Sequence, residues 1–265
     1  MNRIICITGV SSGIGFELAK FFCQSNDTVL GISRSYPKGD YQFAHFLCDV
    51  ADERAVADTF QKIHQEYNHI DVLINCAGVG LSGAVEHAFL TDVRRIFAVN
   101  VFGPFLVSKH AMGLLRNAQN AKIINIGSVA GEFPIPFQSF YCMTKSAMHT
   151  FSEALRIELK PFSIDVCTVM PGDTRTAFTQ NRIKSHFDKE GLYKDRIKRS
   201  VARMEKDEQN GKAPFTVVKV VDRLLKKKQM PVSVSVGFEY GLFMFLKRIV
   251  PDRVVNYLLF QMYGK

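Results

Sequence analysis

Several signals that would narrow the function at once are missing from this sequence. None of its six cysteines, Cys6, Cys23, Cys48, Cys76, Cys142 and Cys167, stands in C-x-x-C spacing. Several of them fall in apolar runs that read as strands, so we expect buried, reduced thiols. The seven histidines form no H-x-x-x-H pair and no Cys/His cluster, and no metal site is expected. No apolar run approaches the roughly 20 residues that span a bilayer. The opening MNRIICITG passes straight into a strand-like run without the layout of a signal sequence, so a reducing, cytoplasmic setting is the expectation. There is no helix-turn-helix, zinc-finger or aromatic-basic RNA motif, and no nucleic-acid partner is expected. Repeats, low-complexity tracts and linkers are absent too. A chain of 265 residues, 47% apolar and 22% charged, suits one large globular domain spanning residues 1–265.

Acidic charge is scarce in one part only. Residues 1–174 hold 14 Lys/Arg against 16 Asp/Glu, residues 175–212 hold 11 against 6, and residues 213–265 hold 9 against 3. The net +9 therefore sits in the last third. Such a surface suits anionic lipid or an acidic substrate, or is simply solvated, which is the commonest case.

Apolar, β-rich runs alternate with longer segments of helical period. Residues 3–8, 28–33, 43–48, 70–75, 121–127 and 164–170 read as strands, with a last short one near 231–236. Helices are expected at 14–24, 52–67, 91–98, 103–117, 140–160 and 215–228. The strands are nearly continuous hydrophobic runs, as when both faces of a sheet are covered. The pattern predicts an α/β fold, a doubly wound parallel sheet of the Rossmann type. Alternation stops across 175–212, a charged stretch expected to hold short helices and to act as a lid. An apolar and basic C-terminal extension, 237–265, follows.

The turn TGVSSGIG, residues 8–15, ends the first strand and opens the first helix. Glycines there let backbone approach a pyrophosphate, and the helix N-terminus offers it free N–H groups. The alternative is a plain turn with Ser11 or Ser12 as helix cap. Further on, YCMTK at 141–145 places Tyr141 and Lys145 on one helix face. By itself that pair reads more simply as a packed phenol with a lysine reaching over it to water.

The T-G-x-x-x-G-x-G spacing resembles that of the short-chain dehydrogenase/reductase family. So do NCAG at 75–78, Asn100 in VN, IGSVAG at 126–131, YCMTK, and PG at 171–172, in order and at family-like distances. The resemblance covers about residues 3–236 and implies an enzyme with Asn100, Ser128, Tyr141 and Lys145 as its catalytic set. It implies cofactor contacts from Gly9, Ser11, Ser12, Gly13, Ile14 and Gly15, from Asp49 and Val50, and from Asn75, Ala77 and Gly78. Tyr141, Lys145, Pro171, Gly172, Thr174 and Thr176 complete that set. Thr174 stands where the family usually has an apolar residue, and Asp173 has no role that the resemblance supplies. An NAD enzyme would place an acid after the second strand. Here that strand ends in Ser33 and Arg34, and Arg34 suits a 2′-phosphate, so NADP(H) is expected ahead of NAD(H).

NCAGVGLSGAVE, YCMTKSAM and PGDTRTAF resemble the hydroxysteroid and retinol dehydrogenase branch. An apolar carbonyl or alcohol substrate is the expectation: a steroid, a retinoid or a lipid-like molecule. Phe133, Pro134, Ile135, Phe137 and Phe140 fit either the mouth of such a site or the core and a dimer contact. In the lid, Phe178, Ile183, Phe187, Leu192 and Ile197 are expected to face the ligand. A reductase of 3-oxoacyl groups on an acidic carrier is the rival within the family, and a non-catalytic NADP(H)-binding regulator the rival from another class. The extension fits packing on its own domain, an oligomer contact or a peripheral membrane contact, the first being the simplest. The family resemblance implies a homodimer or homotetramer.

Overall fold

Seven of the apolar runs lie side by side in one parallel sheet. The computed structural model describes residues 2–184 and 191–265, so Phe187 lies outside the described residues. Its strands are β1 (Ile4–Thr8), β2 (Thr28–Ser33), β3 (Ala44–Leu47), β4 (Val72–Asn75), β5 (Leu81–Ser82), β6 (Lys122–Ile126), β7 (Asp165–Pro171), β8 (Ile183–Lys184) and β9 (Ser233–Val236). The main sheet has the order β3-β2-β1-β4-β6-β7-β9, and every pairing in it is parallel. The chain reverses its direction of travel between β1 and β4, and a crevice opens there at the carboxyl ends of the strands.

Helices cover both faces: α1 (Gly13–Gln24), α2 (Glu53–Glu66), α3 (Leu90–Phe97), α4 (Gly103–Arg116), α5 (Ser139–Leu159), α6 (Lys194–Gln209), α7 (Phe215–Leu225), α8 (Phe238–Lys247) and α9 (Asp252–Leu259). Side chains alternate across each strand, so Cys6 joins one core while Ile5 and Ile7 join the other. The first core takes Phe60 from α2, Leu114 from α4 and Leu155 from α5. The second takes Leu18 and Phe22 from α1 and Val217 and Val221 from α7. That double burial is why the strands read as unbroken hydrophobic runs.

Two features depart from the sequence reading. Among its described residues, the segment expected to hold short helices contains one helix of 16 residues, α6. It is free of glycine and proline, and Ile197, Ser200, Val201 and Met204 give it one buried stripe. The second is the small parallel pair β5–β8, which ties this insert to the loop after β4. The base of the insert is also closed: Arg175 N–H donates to the Lys212 carbonyl (3.0 Å) and Lys212 N–H to the Asp173 carbonyl (3.1 Å).

Phe22 is fully buried between α1 and the sheet. Phe22→Ala should lower unfolding free energy by about 3–5 kcal/mol, read from a urea midpoint. A loss under about 1 kcal/mol would show that this layer does not unfold with the rest.

Candidate active site

The carboxyl ends of the strands open on a cleft of about 500 Å³. At one end lies the glycine turn. Gly9 has φ +79°, and a Cβ there would press on the Ala77 backbone at 2.9 Å. A Cβ on Gly15 would overlap the Gly9 carbonyl. Only glycine lets this turn approach the β4 loop so closely. Ser12 precedes the first turn of α1 but makes no capping bond, which answers the alternative role considered for it and leaves the first N–H groups of α1 turned to the cleft. Gly9, Ser11, Ser12, Gly13, Ile14 and Gly15 all line the cleft, as do Ser33, Arg34, Asp49, Val50, Ala77 and Gly78.

The Ser33 hydroxyl is already engaged. It donates to the Ser35 carbonyl (2.9 Å) and meets His45 Nε2 (2.8 Å). Arg34 is loosely held: among the described residues its ion pair is with Asp49 at 3.9 Å, both side chains being about half exposed. Such a pair contributes little, so the guanidinium can turn to another anion.

At the other end stand Ser128, Tyr141 and Lys145. Ser128 Oγ accepts the Ala130 N–H (3.1 Å), which leaves its own hydrogen for the Tyr141 oxygen beside it. Burial pushes the Tyr141 phenol well above its ordinary value, and the Ser128 bond only partly offsets this. Lys145 is 6% exposed, and its Nζ donates to the Ile126 carbonyl at 2.9 Å. Burial pushes its ammonium down to about 8. Nζ lies 5.8 Å from the Tyr141 ring centre, within reach of the ring's field but not in a direct bond with the phenol oxygen.

Asn75 and Asn100 do not line the cleft. Asn100 sits in a π-helical turn, residues 98–102, between α3 and α4. Its side chain clamps the Val79 backbone, accepting N–H and donating to C=O at 2.9 Å each, and donates to Thr144 Oγ1 (3.1 Å). Asn75 belongs to a buried polar ladder: it donates to Ser108 Oγ (3.2 Å) and Asn125 Oδ1 (2.8 Å), and Asn125 donates to Ser152 Oγ (2.8 Å). Both asparagines are therefore positioning residues here, fixing β4, β6 and α5 around the cleft.

The third wall is Pro171, Gly172, Asp173, Thr174 and Thr176. Asp173 now has a partner. The Tyr240 hydroxyl donates to its carboxylate (2.8 Å) and accepts its backbone N–H (2.9 Å), while the Tyr240 ring lies over Gly172 where a Cβ would stand. Burial raises the Asp173 carboxyl above the usual range.

Of the aromatic run after Ser128, only Ile135 lines the cleft. Phe137, with φ +61°, packs with Ala84, Ile197 and Met204, and Phe140 packs beside Tyr141 and Cys142. From the insert, Phe178 and Ile183 line the cleft, with the Phe178 ring 5.6 Å from that of Tyr141. Ile197 is buried away from it, and Leu192 is 94% exposed. The sequence reading missed Met204, Glu208 and Tyr263, which also line it. Glu208 accepts from a fully buried Arg182 and from Thr179 Oγ1 (2.5 Å). No local motif marks these residues, because only the docking of α6 and the chain end brings them in.

A model of the short chain dehydrogenases matches residues 3–186. The chain is a member of that family. It is 36% identical over 259 residues to the 3-ketodihydrosphingosine reductase of Bacteroides thetaiotaomicron, covering 97% of this chain and 96% of that one. Among solved structures, a short-chain dehydrogenase from Streptomyces avermitilis superposes with a TM-score of 0.83 at 24% identity, over 97% of this chain and 94% of that one. The 3-ketoacyl-(acyl-carrier-protein) reductase of Brucella melitensis, solved with NADH, gives 0.70 at 22%, over 89% of this chain and 97% of that one. The first of these makes an oxidoreductase acting on a hydroxyl or keto group the family reading, and the two structural likenesses speak for the fold alone.

Like other buried lysines, Lys145 of this short-chain dehydrogenase ties stability to pH. Its folded value, about 8, lies below the ordinary 10.5, so the unfolded chain holds the extra proton between those limits. Stability from this group is present above pH 10.5 and lost as pH falls through 8. Relative to Lys145→Met, the parent should gain on the order of 3 kcal/mol between those pH values, measured by urea titrations at fixed pH. A pH-independent difference would show that Lys145 titrates normally.

Proposed function

We propose that this protein is an NADP(H)-dependent reductase of a ketone on a long, apolar, lipid-like substrate. The single observation that carries the substrate class is the wall beside Tyr141, where Phe178, Ile135, Ile183 and Met204 form an apolar slot continuous with the proton donor. The long-chain ketone named for the Bacteroides relative suits that slot, and its likeness runs through the tail. A steroid or retinoid is the second reading within the same class. The carrier-bound 3-oxoacyl rival loses ground because the chain continues past β9 through α8 and α9 to Tyr263, which lines the cleft.

The cleft fits a dinucleotide: glycine-only backbone at one end, the open N-terminus of α1 beside it, and Lys145 and the Pro171–Gly172 turn at the other. Bound there, the nicotinamide would supply the hydride to the carbonyl carbon. The Tyr141 phenol gives its proton to the carbonyl oxygen, and the Ser128 hydroxyl donates to the same oxygen as charge develops. Burial raises the Tyr141 phenol, so its proton is in place for donation to the carbonyl oxygen. Lys145 then stabilises the phenolate left behind. Arg34 supports the phosphorylated cofactor, since no acid stands at the end of β2 to take a ribose 2′-hydroxyl.

NADPH oxidation should be fast with a long-chain 3-ketone and slow with aldoses and 3-oxoacyl thioesters. Tyr141→Phe should keep cofactor binding and lose about 10²–10⁴-fold in turnover. Turnover within a few-fold of the parent would remove Tyr141 from the mechanism. Arg34→Asp should raise the KM for NADPH and narrow the preference over NADH. A parent enzyme that prefers NADH would overturn the Arg34 argument.

A further inference from the structure

The last two helices are built inside out. Their inward contacts are largely polar anchors. In α8, Tyr240 bonds Asp173, and Lys247 reaches Glu132 (3.2 Å) and lies over the Phe133 ring (5.6 Å). Past α9, the Tyr263 hydroxyl donates to Asp207 (3.2 Å). Neither helix contains a buried residue. The outward stripe of α8 and the turn after it is instead apolar: Phe238, Leu242, Phe245 and Ile249 follow each other at helical spacing and are 86%, 44%, 60% and 65% exposed. Tyr257 and Leu258 continue the exposed face on α9 at 62% and 53%. An ordinary surface helix has the opposite arrangement, and an apolar face of this extent marks an interaction site.

Charge says what covers it. Arg248 and Arg253 are exposed on either side of Pro251, at the turn between the helices, and Arg223 and Lys227 rim the hollow beside Phe238. Residues 213–265 carry 9 Lys/Arg against 3 Asp/Glu. Pairing this face with a second copy would bring like charges together, whereas an anionic surface complements them. No helix among the described residues is long and apolar enough to cross a membrane, so the helices lie along a surface and do not enter it end-on.

We propose that the outward face of α8 and α9 docks this enzyme on the surface of an anionic lipid bilayer. The phenylalanines and Ile249 sink among the acyl chains while Arg248 and Arg253 meet the headgroups. Tyr263 of the same tail lines the cleft, so docking sets the cleft beside the bilayer. That last consequence gains its purpose from the lipid-like substrate proposed above, but the docking does not depend on it.

The test is co-sedimentation of the full chain with vesicles of phosphatidylcholine alone and of phosphatidylcholine mixed with phosphatidylglycerol, with no turnover required. Binding should be strong to the mixed vesicles and fall as salt is raised from about 0.1 to about 0.5 M. Removing each arginine, by Arg248→Ala or Arg253→Ala, should weaken it about five-fold. Phe238→Ser, Phe245→Ser and Ile249→Ser together should abolish it while the thermal midpoint and NADPH binding stay at parent values. Absence of binding to mixed vesicles, or binding untouched by the triple change, would overturn the proposal. So would a dimer in light scattering that the triple change dissociates, since the face would then belong to a second copy. A failed substrate screen with intact vesicle binding would sink only the substrate reading.

Discussion

The site depends on keeping one ammonium out of water. Lys145 is held by the Ile126 carbonyl at the end of β6, close to Gly78. Burying that charge works against folding, so the surrounding structure has to be over-determined to hold it. The neighbouring contacts have that character. Asn100 clamps Val79 and reaches Thr144 one residue before Lys145, while the Asn75–Asn125–Ser152 ladder fastens β4 and β6 to α5. The π-helical turn at 98–102 is the local distortion that lets Asn100 face this network instead of the helix interior.

Around that fixed centre the chain adds two well-anchored pieces. The insert between β7 and α7 is pinched at its base by the Arg175–Lys212 backbone bonds and pinned across its middle by Arg182 and Glu208. The tail is fastened at Asp173, Glu132 and Asp207, three points that belong to the cleft wall, the loop after Ser128 and α6. Each piece therefore touches a different side of the same site. The Tyr141 end of the cleft is assembled from residues spread over about 120 positions of the chain (Tyr141, Phe178, Met204 and Tyr263), whereas the opposite end comes from short turns at strand ends.

That division explains which parts were readable in advance. Strands buried on both faces must be apolar throughout, so β1, β2, β4, β6 and β7 were evident from composition alone. The glycine turn was evident because backbone approach and positive φ exclude other residues. Arg34 and the missing acid were read from two adjacent residues. By contrast, Phe133, Phe137 and Phe140 look the same in sequence whether they face a ligand or a core. Phe137 packs on Ile197 and Met204 of α6, more than 50 residues away, Phe140 joins Tyr141 and Cys142, Phe133 lies under Lys247, and only Ile135 of that run reaches the cleft.

By itself, then, the sequence determined the doubly wound sheet and the glycine turn, because periodicity and backbone sterics are local properties, while the Ser128, Tyr141 and Lys145 set was named through the family resemblance. Tertiary structure decided that Asn75 and Asn100 hold the site from behind, that Asp173 serves as anchor for Tyr240, and that Glu208 and Tyr263 enter the cleft. It also decided that α8 turns its polar side inward and its phenylalanines outward. A helical stripe in sequence shows that two faces differ. Which face meets the protein is set by the partners waiting there, here a buried carboxylate and the loop after Ser128, and those are supplied only by the folded chain.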